Sequence, residues 1–380
     1  MSDPIQSTIL VMSDLHFGAD FLLEAEIDPL QVPFWLKYTA PKVRRFFEDR
    51  CKAHDMAIVL NLPKYLKKVL RQLKREEFAR SKFDLLVLLG DLATYANGGS
   101  YSFLGQYLSQ AKYQYASEKS ISGLKDIYNG ELIAIPGNHD KLLRTNLDLF
   151  HSKFSPRTTN GAQPQPHKSF FISRIVGSQE FLFVLLEASK YASVDGKLDF
   201  SALSHLASGE VTKDLRDEVT AKFSEIRNGH SVDNAQVKDF GLAWKIILVH
   251  YAVDDRMVLG PAPQPQGLVL SHRCNGLDSL IKDLAPSLNL VLHGHLHCPR
   301  IYNHHGVPVI STTTTTQKDG VNGFFVMKLL TSGDIVIDHH RWNVNGFMKD
   351  ETAELSVRIA RTPAKDSRQS KTVSKQAAGQ

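Results

Sequence analysis

The sequence predicts an α/β fold whose chemistry sits at strand ends. Two observations point there. Short, continuous apolar runs recur at residues 7–12, 83–89, 132–135, 245–249 and 289–292, the length and character of strands buried on both faces. Each run leads directly into Asp, His or Asn, where loops beyond strand carboxyl ends carry function in α/β folds.

The 380-residue chain is long enough for one large domain or two ordinary ones. No apolar run approaches the roughly 20 residues of a membrane span, and the first residues, Met1 to Ser7, lack the basic start of a secretory signal. Cys51, Cys274 and Cys298 are odd in number and lack metal-site spacing. Reduced thiols and a cytoplasmic location are therefore expected. Of the net charge of +5, residues 41–82 carry +8 (thirteen Lys/Arg against five Asp/Glu) and residues 361–380 carry +4, leaving −7 for the rest. A basic insertion on an acidic body suggests an anionic ligand nearby.

The first run ends in Asp14 and His16, two apart, so an extended backbone would put both on one side. Residues 19–82 read as a mostly helical insertion, clearest over 62–80. There Leu66, Val69, Leu70 and Leu73 make an apolar stripe, with Lys64, Lys67, Lys68, Arg71, Lys74 and Arg75 on the other faces. That cationic face is either simply solvated or turned toward the mouth of a site. The second run ends in Gly90-Asp91, and helical patterns follow around 103–128. The central run stops at Pro136, which cannot donate to a ladder, and presents Gly137-Asn138-His139-Asp140.

Strands at 168–175 and 181–188 form a hairpin around Gly177, and 195–230 reads as a polar helical excursion over the site. Two more runs deliver His250 and the alternating His293, His295 and His297. Strands at 307–312, 323–330 and 334–339 close the body. One domain is therefore expected over 1–355, with helical insertions near 19–82 and 192–240. A basic, disordered tail is expected over 356–380.

Asp14, His16, Asp91, Asn138, His250, His295 and His297 are an oxygen and nitrogen set without sulfur, suited to Mn, Fe or Zn. Seven ligands exceed one tetrahedral site, but two ions sharing a carboxylate would use them all, with Asp91 the natural bridge. Sixteen histidines make chance pairs common. His293 is left outside the set, and His304-His305 and His339-His340 read as surface pairs.

The ordered set Asp14-x-His16, Gly90-Asp91, Gly137-Asn138-His139-Asp140, His250 and Gly294-His295-x-His297 resembles the calcineurin-like metallophosphoesterases, over residues 7 to about 312. The resemblance implies a four-layer αββα sandwich of two mixed sheets, with the helical insertions as a cap over the site. It implies one metal on Asp14, His16, Asp91 and His297, and a second on Asp91, Asn138, His250 and His295. His139 would be the general acid, oriented by Asp140, with Asn138 and His139 lining the substrate pocket. A hydroxide activated by two divalent metals, Mn or Fe ahead of Zn, would attack phosphorus in line. One departure matters. Leu92-Ala93-Thr94-Tyr95 and Lys141 stand where protein phosphatases of this superfamily carry phosphate-gripping arginines, so protein phosphatase activity is disfavoured. The reading favoured is a phosphodiesterase for small, cyclic-nucleotide-type substrates. A DNA-repair-type nuclease is the alternative, weakened by the acidic body, and a non-catalytic scaffold is a third. Oligomeric state and natural substrate stay open.

Overall fold

Every predicted apolar run forms a strand, and its alternating side chains face two different cores. The computed structural model describes residues 3–17, 56–76, 78–93, 98–115, 119–141, 150–154, 169–188, 193–194, 197–198, 208–253, 273–316, 322–343, 346–349 and 355–361. In chain order the principal elements begin with β1 (Ile5–Met12), α1 (Met56–Arg75), β2 (Leu85–Leu89), α2 (Gly98–Ser109) and β3 (Leu132–Ile135). Next come β4 (Ser169–Val176), β5 (Gln179–Leu186), α3 (Lys213–Arg227), β6 (Trp244–Val249) and α4 (Leu277–Leu284). They are followed by β7 (Leu290–His293), β8 (Arg300–His304), β9 (Val307–Ser311), β10 (Gly323–Leu330), β11 (Ile335–Asn343), β12 (Gly346–Lys349) and β13 (Ser356–Ile359).

Two mixed sheets result. The first has the order β12-β11-β10-β1-β2-β3, with β13 also on β11; β1, β2 and β3 are parallel and the others antiparallel. The second has the order β8-β9-β7-β6-β5-β4, with a parallel centre and one antiparallel strand at each edge.

Side-chain alternation then makes the layers. Ile9, Val11, Val87, Leu89, Ile246, Leu248, Leu290 and Leu292 meet in the core between the sheets. Their neighbours Leu10, Met12, Leu86 and Leu88 face outward onto α1 and α2, while Ile247, Val249 and Val291 face α3 and α4. Three apolar seams between four layers make the αββα sandwich that the resemblance implies. The strands are buried on both sides, hence their unbroken apolar runs. Among the described residues no helix is long and apolar enough to cross a membrane.

Several local expectations change. Residues 103–128 are not helical throughout. The helix stops at Ser109, and Lys112–Tyr115 pairs with Lys119–Ser122 as a hairpin. The tail does not begin at 356. β13 pairs with β11 from Asp338↔Ser356 to Ile335↔Ile359, and Arg361 bonds Leu242 O; 362–380 lie outside the described residues. His339 and His340 are buried in β11 rather than on the surface.

The helices expected over the site form the outer layers instead. α1 packs on the first sheet through Leu62, Leu66 and Leu73, with its lysines and arginines exposed. α3 packs Phe223 against Phe171 of β4. Residues 18–55 and 199–207, the rest of the expected cap, lie outside the described residues.

Candidate metal centre

Parallel register aligns the strand ends. Met12 pairs with Leu88, Leu89 with Ile135, Val249 with both Leu186 and His293, and His293 with Ser311. The loops beyond them therefore meet on one rim. The backbone there departs from the extended geometry expected for Asp14 and His16. β1 stops at Met12, and both residues take left-handed φ, at 52° and 44°. Asp91, His295 and His297 do the same, so five of the seven described non-glycine residues with positive φ are candidate ligands. Such conformations cost of order 1–3 kcal/mol each and persist where surrounding structure fixes them for function.

That surrounding structure is visible. Asp14 N–H donates to Gly90 O, His16 N–H to Asp91 O and Phe17 N–H to Leu92 O, stitching the first loop to the second. A Cβ on Gly137 would collide with the Asp91 carboxylate and backbone, which explains the glycine without reference to φ. Gly90 needs its freedom outright, with φ of 91°.

The donor atoms converge in three overlapping groups, each within 4.8 Å: Asp14 with His16 and His297, His16 with Asp91 and His139, and Asp91 with His250 and His295. Asn138 Oδ1 lies 3.1 Å from His250 Nε2. All seven sequence-predicted ligands are thus brought together. Asp91 sits at the centre, its Oδ2 3.4 Å from His250 Nε2 and 4.0 Å from His16 Nε2, while Oδ1 accepts the His139 backbone N–H at 2.8 Å. Asp14 Oδ1 lies 3.1 Å from His297 Nε2, and Oδ2 accepts the His295 N–H and the Ser13 hydroxyl.

The residues fit divalent cations. His250 Nδ1 lies 2.7 Å from Leu89 O, so it carries a proton and donates it. Its Nε2 therefore faces two oxygens, of Asn138 and Asp91, and needs either a proton or a cation between them. Without a cation, burial pushes His250 down, but Asp91 and Asp14 outweigh it and raise it to about 9. Burial pushes Asp91 up, yet His250, His139 and His16 hold it well below the usual carboxylate range. Among the described residues no Lys or Arg pairs with Asp14, Asp91 or Asp140. Buried carboxylates left without a cation are costly.

Asp140 departs from its expected part. Its carboxylate accepts backbone N–H from Leu92 at 3.1 Å, Ala93 at 3.2 Å and Gly137 at 2.9 Å, and the Tyr101 hydroxyl at 3.0 Å. These bonds fill both oxygens. Asp140 therefore braces the second and third loops against each other, instead of steering the His139 ring. Burial and then Asp91 raise it to about 7.

Tyr101 was not found by sequence reasoning, because it lies in the first turn of α2 with no motif around it. A second missed group is Thr312–316, five fully buried threonines after β9. Their hydroxyls donate to His293 O, His297 O, Asp14 O and Ser13 O, latching the two ligand loops of opposite sheets. The run of five was the available signal. His293 stays outside the cluster. Its ring lies 3.2 Å from the Tyr302 hydroxyl, and burial lowers it to about 4.

With this geometry in hand, comparison with known families gives a match to the calcineurin-like phosphoesterases over residues 7–299. The chain belongs to this family. It is a hydrolase of phosphoester bonds, and the family implies divalent metal ions, which the cluster just described could hold. No curated protein sequence matches the chain significantly. Similar solved structures include GAP50, the anchor in the inner membrane complex of Plasmodium (12% identity, TM-score 0.44, 95% of this chain and 90% of that one). Another is the phosphopantetheinyl hydrolase of Mycobacterium tuberculosis (13%, 0.38, 82% and 91%). A third is the zinc complex of Vps29 from Entamoeba histolytica (10%, 0.32, 92% and 98%). The family match, not these distant likenesses, carries the assignment.

Proposed function

We propose that the chain is a phosphodiesterase for small diesters of the cyclic-nucleotide type, with Mn or Fe as its metals. The observation that carries this reading is the makeup of the charged cluster. Histidines alone offset the buried carboxylates, and no Lys or Arg pairs with them among the described residues. A site without a guanidinium clamp suits the single charge of a diester better than the dianion of a monoester.

Asp14, His16, Asp91 and His297 would hold one ion, and Asp91, Asn138, His250 and His295 the other. Bound there, two ions supply Lewis acidity and a water that ionises near neutral pH. Asp91 would be the ligand shared by the two ions. Asn138 and His139 would line the pocket beside the phosphoryl oxygens. His139, its backbone tied to Asp91 and its ring 4.8 Å from that of His16, would give a proton to the leaving alkoxide during in-line displacement.

The test uses chromogenic phosphodiesters and monoesters with Mn²⁺. The expected result is a higher kcat/KM on diesters, and a loss of about 100-fold or more in Asn138→Ala. His139→Ala should bind Mn²⁺ normally but lose more rate on poor leaving groups than on good ones. A monoester preference overturns the diester reading, and equal losses across leaving groups remove His139 as the acid.

A further inference from the structure

Away from the rim, ligand atoms converge once more where β8 turns into β9 beside the first turn of α4. We propose that Asp278, His304 and His305 form a separate binding site for a transition-metal dication of the zinc, nickel or copper class. The site is built from local backbone geometry. Pairing of His304 with Val307 leaves His305-Gly306 as a two-residue turn. Both turn residues have positive φ, at 53° and 84°, the signature of the tight hairpin turn that Asn-Gly usually forms. Asn303 Oδ1 accepts the Gly306 N–H at 2.9 Å and fixes it.

In a strand, consecutive side chains point to opposite faces. The left-handed turn curls His305 back instead, so that its ring centroid lies 4.6 Å from that of His304. Both rings aim Nε2 at one oxygen, Asp278 Oδ1, at 2.6 Å and 2.9 Å. The three donor atoms all lie within 4.8 Å of one another. A zinc-type ion about 2.0–2.1 Å from each donor spaces tetrahedral ligands about 3.3 Å apart. Rotation of three partly exposed side chains provides that small opening.

Electrostatics favours the same occupant. Among the described residues Asp278 pairs with no Lys or Arg, only with these two rings. Two imidazoles that both donate to one oxygen share a single acceptor. A dication instead takes both Nε2 lone pairs, with each ring proton moved to Nδ1. Imidazole with carboxylate selects Zn, Ni or Cu, whereas Mg and Ca prefer all-oxygen shells. Three protein ligands leave a coordination position for water. The site is independent of the catalytic rim, since His304 lies about 13 Å of strand beyond Arg300, at the far end of β8 from His297. Its ion would fasten the β8–β9 hairpin to α4.

The test is a count of zinc bound per chain by equilibrium dialysis of the full chain and two variants. His305→Asn keeps a residue tolerant of left-handed backbone, and Asp278→Asn keeps side-chain shape. Each variant should bind one zinc equivalent fewer than wild type, with phosphoester hydrolysis unchanged. A Cu²⁺ titration read by electron paramagnetic resonance should show one two-imidazole copper fewer in His305→Asn than in wild type, beyond the copper held at the rim histidines. Equal zinc counts in variants with wild-type circular dichroism, or equal two-imidazole copper in wild type and His305→Asn, overturn the proposal.

Discussion

Asp91 at the end of β2 and Asp338 inside β11 are both buried carboxylates held in their charged form, and their company differs. Asp338 brings its own cations. Lys328 lies 3.0 Å from Oδ2 and Lys349 3.0 Å from Oδ1, and the Ser356 hydroxyl adds a bond at 2.8 Å. Burial pushes Asp338 up, but Lys328, Ser356 and Lys349 outweigh it and leave it lowered. Its strand backbone is regular. Among the described residues the charged neighbours of Asp91 are histidines and Asp140, with no Lys or Arg, and its backbone is left-handed. The structural charge is neutralised by the chain's own lysines, whereas the charge at Asp91 is open to an added ion.

The largest expected effect comes from exchanging these roles. Asp91→Ala should lower kcat/KM by about 1,000-fold or more and abolish the rise in Tm on adding Mn²⁺. Asp338→Ala should keep wild-type kcat/KM with Mn²⁺ but lose about 3–5 kcal/mol in urea unfolding, because Lys328 is then buried with half its pairing gone. If Asp338→Ala loses activity while remaining folded, the division between the two carboxylates fails.

A smaller effect should follow at the threonine latch. Thr314→Val keeps shape but removes the bond to Asp14 O, 2.9 Å long. It should raise the Mn²⁺ concentration for half-maximal activity by about 10-fold, with a stability cost of about 1 kcal/mol. A metal requirement identical to wild type would show that the latch does not position Asp14.

A separate effect, on stability alone, is a pH slope in the structural region. His340 stacks on Phe324 at 5.1 Å, and burial above all lowers it to about 3. The folded state therefore disfavours its proton, while the unfolded chain accepts one near pH 6.5. Stability from this group is full above about pH 6.5 and falls as pH drops toward 3, by at most about 1.4 kcal/mol per pH unit. His340→Phe should flatten that part of the profile by one proton, read from urea midpoints between pH 4 and 7. An unchanged slope would mean that His340 is not buried neutral.

What the sequence determined was the set of strands and the residues at their ends. Residues 132–140 contain both the buried run and its ligands, so period and punctuation suffice to read them. The family order of motifs then implied the sandwich. What it could not give were contacts between distant segments. Asp140 was expected beside its neighbour His139, yet Leu92, Ala93 and Tyr101 claim its oxygens, because the loop after β2 closes over it. β13 was hidden in a polar tail because its four residues need the edge of β11 to become a strand. His339 and His340 read as surface residues, and only the sheet pairing buries them. Local pattern fixes which groups end up at strand ends. Which group each of them touches depends on strands from opposite ends of the chain meeting, and only the tertiary structure decides that.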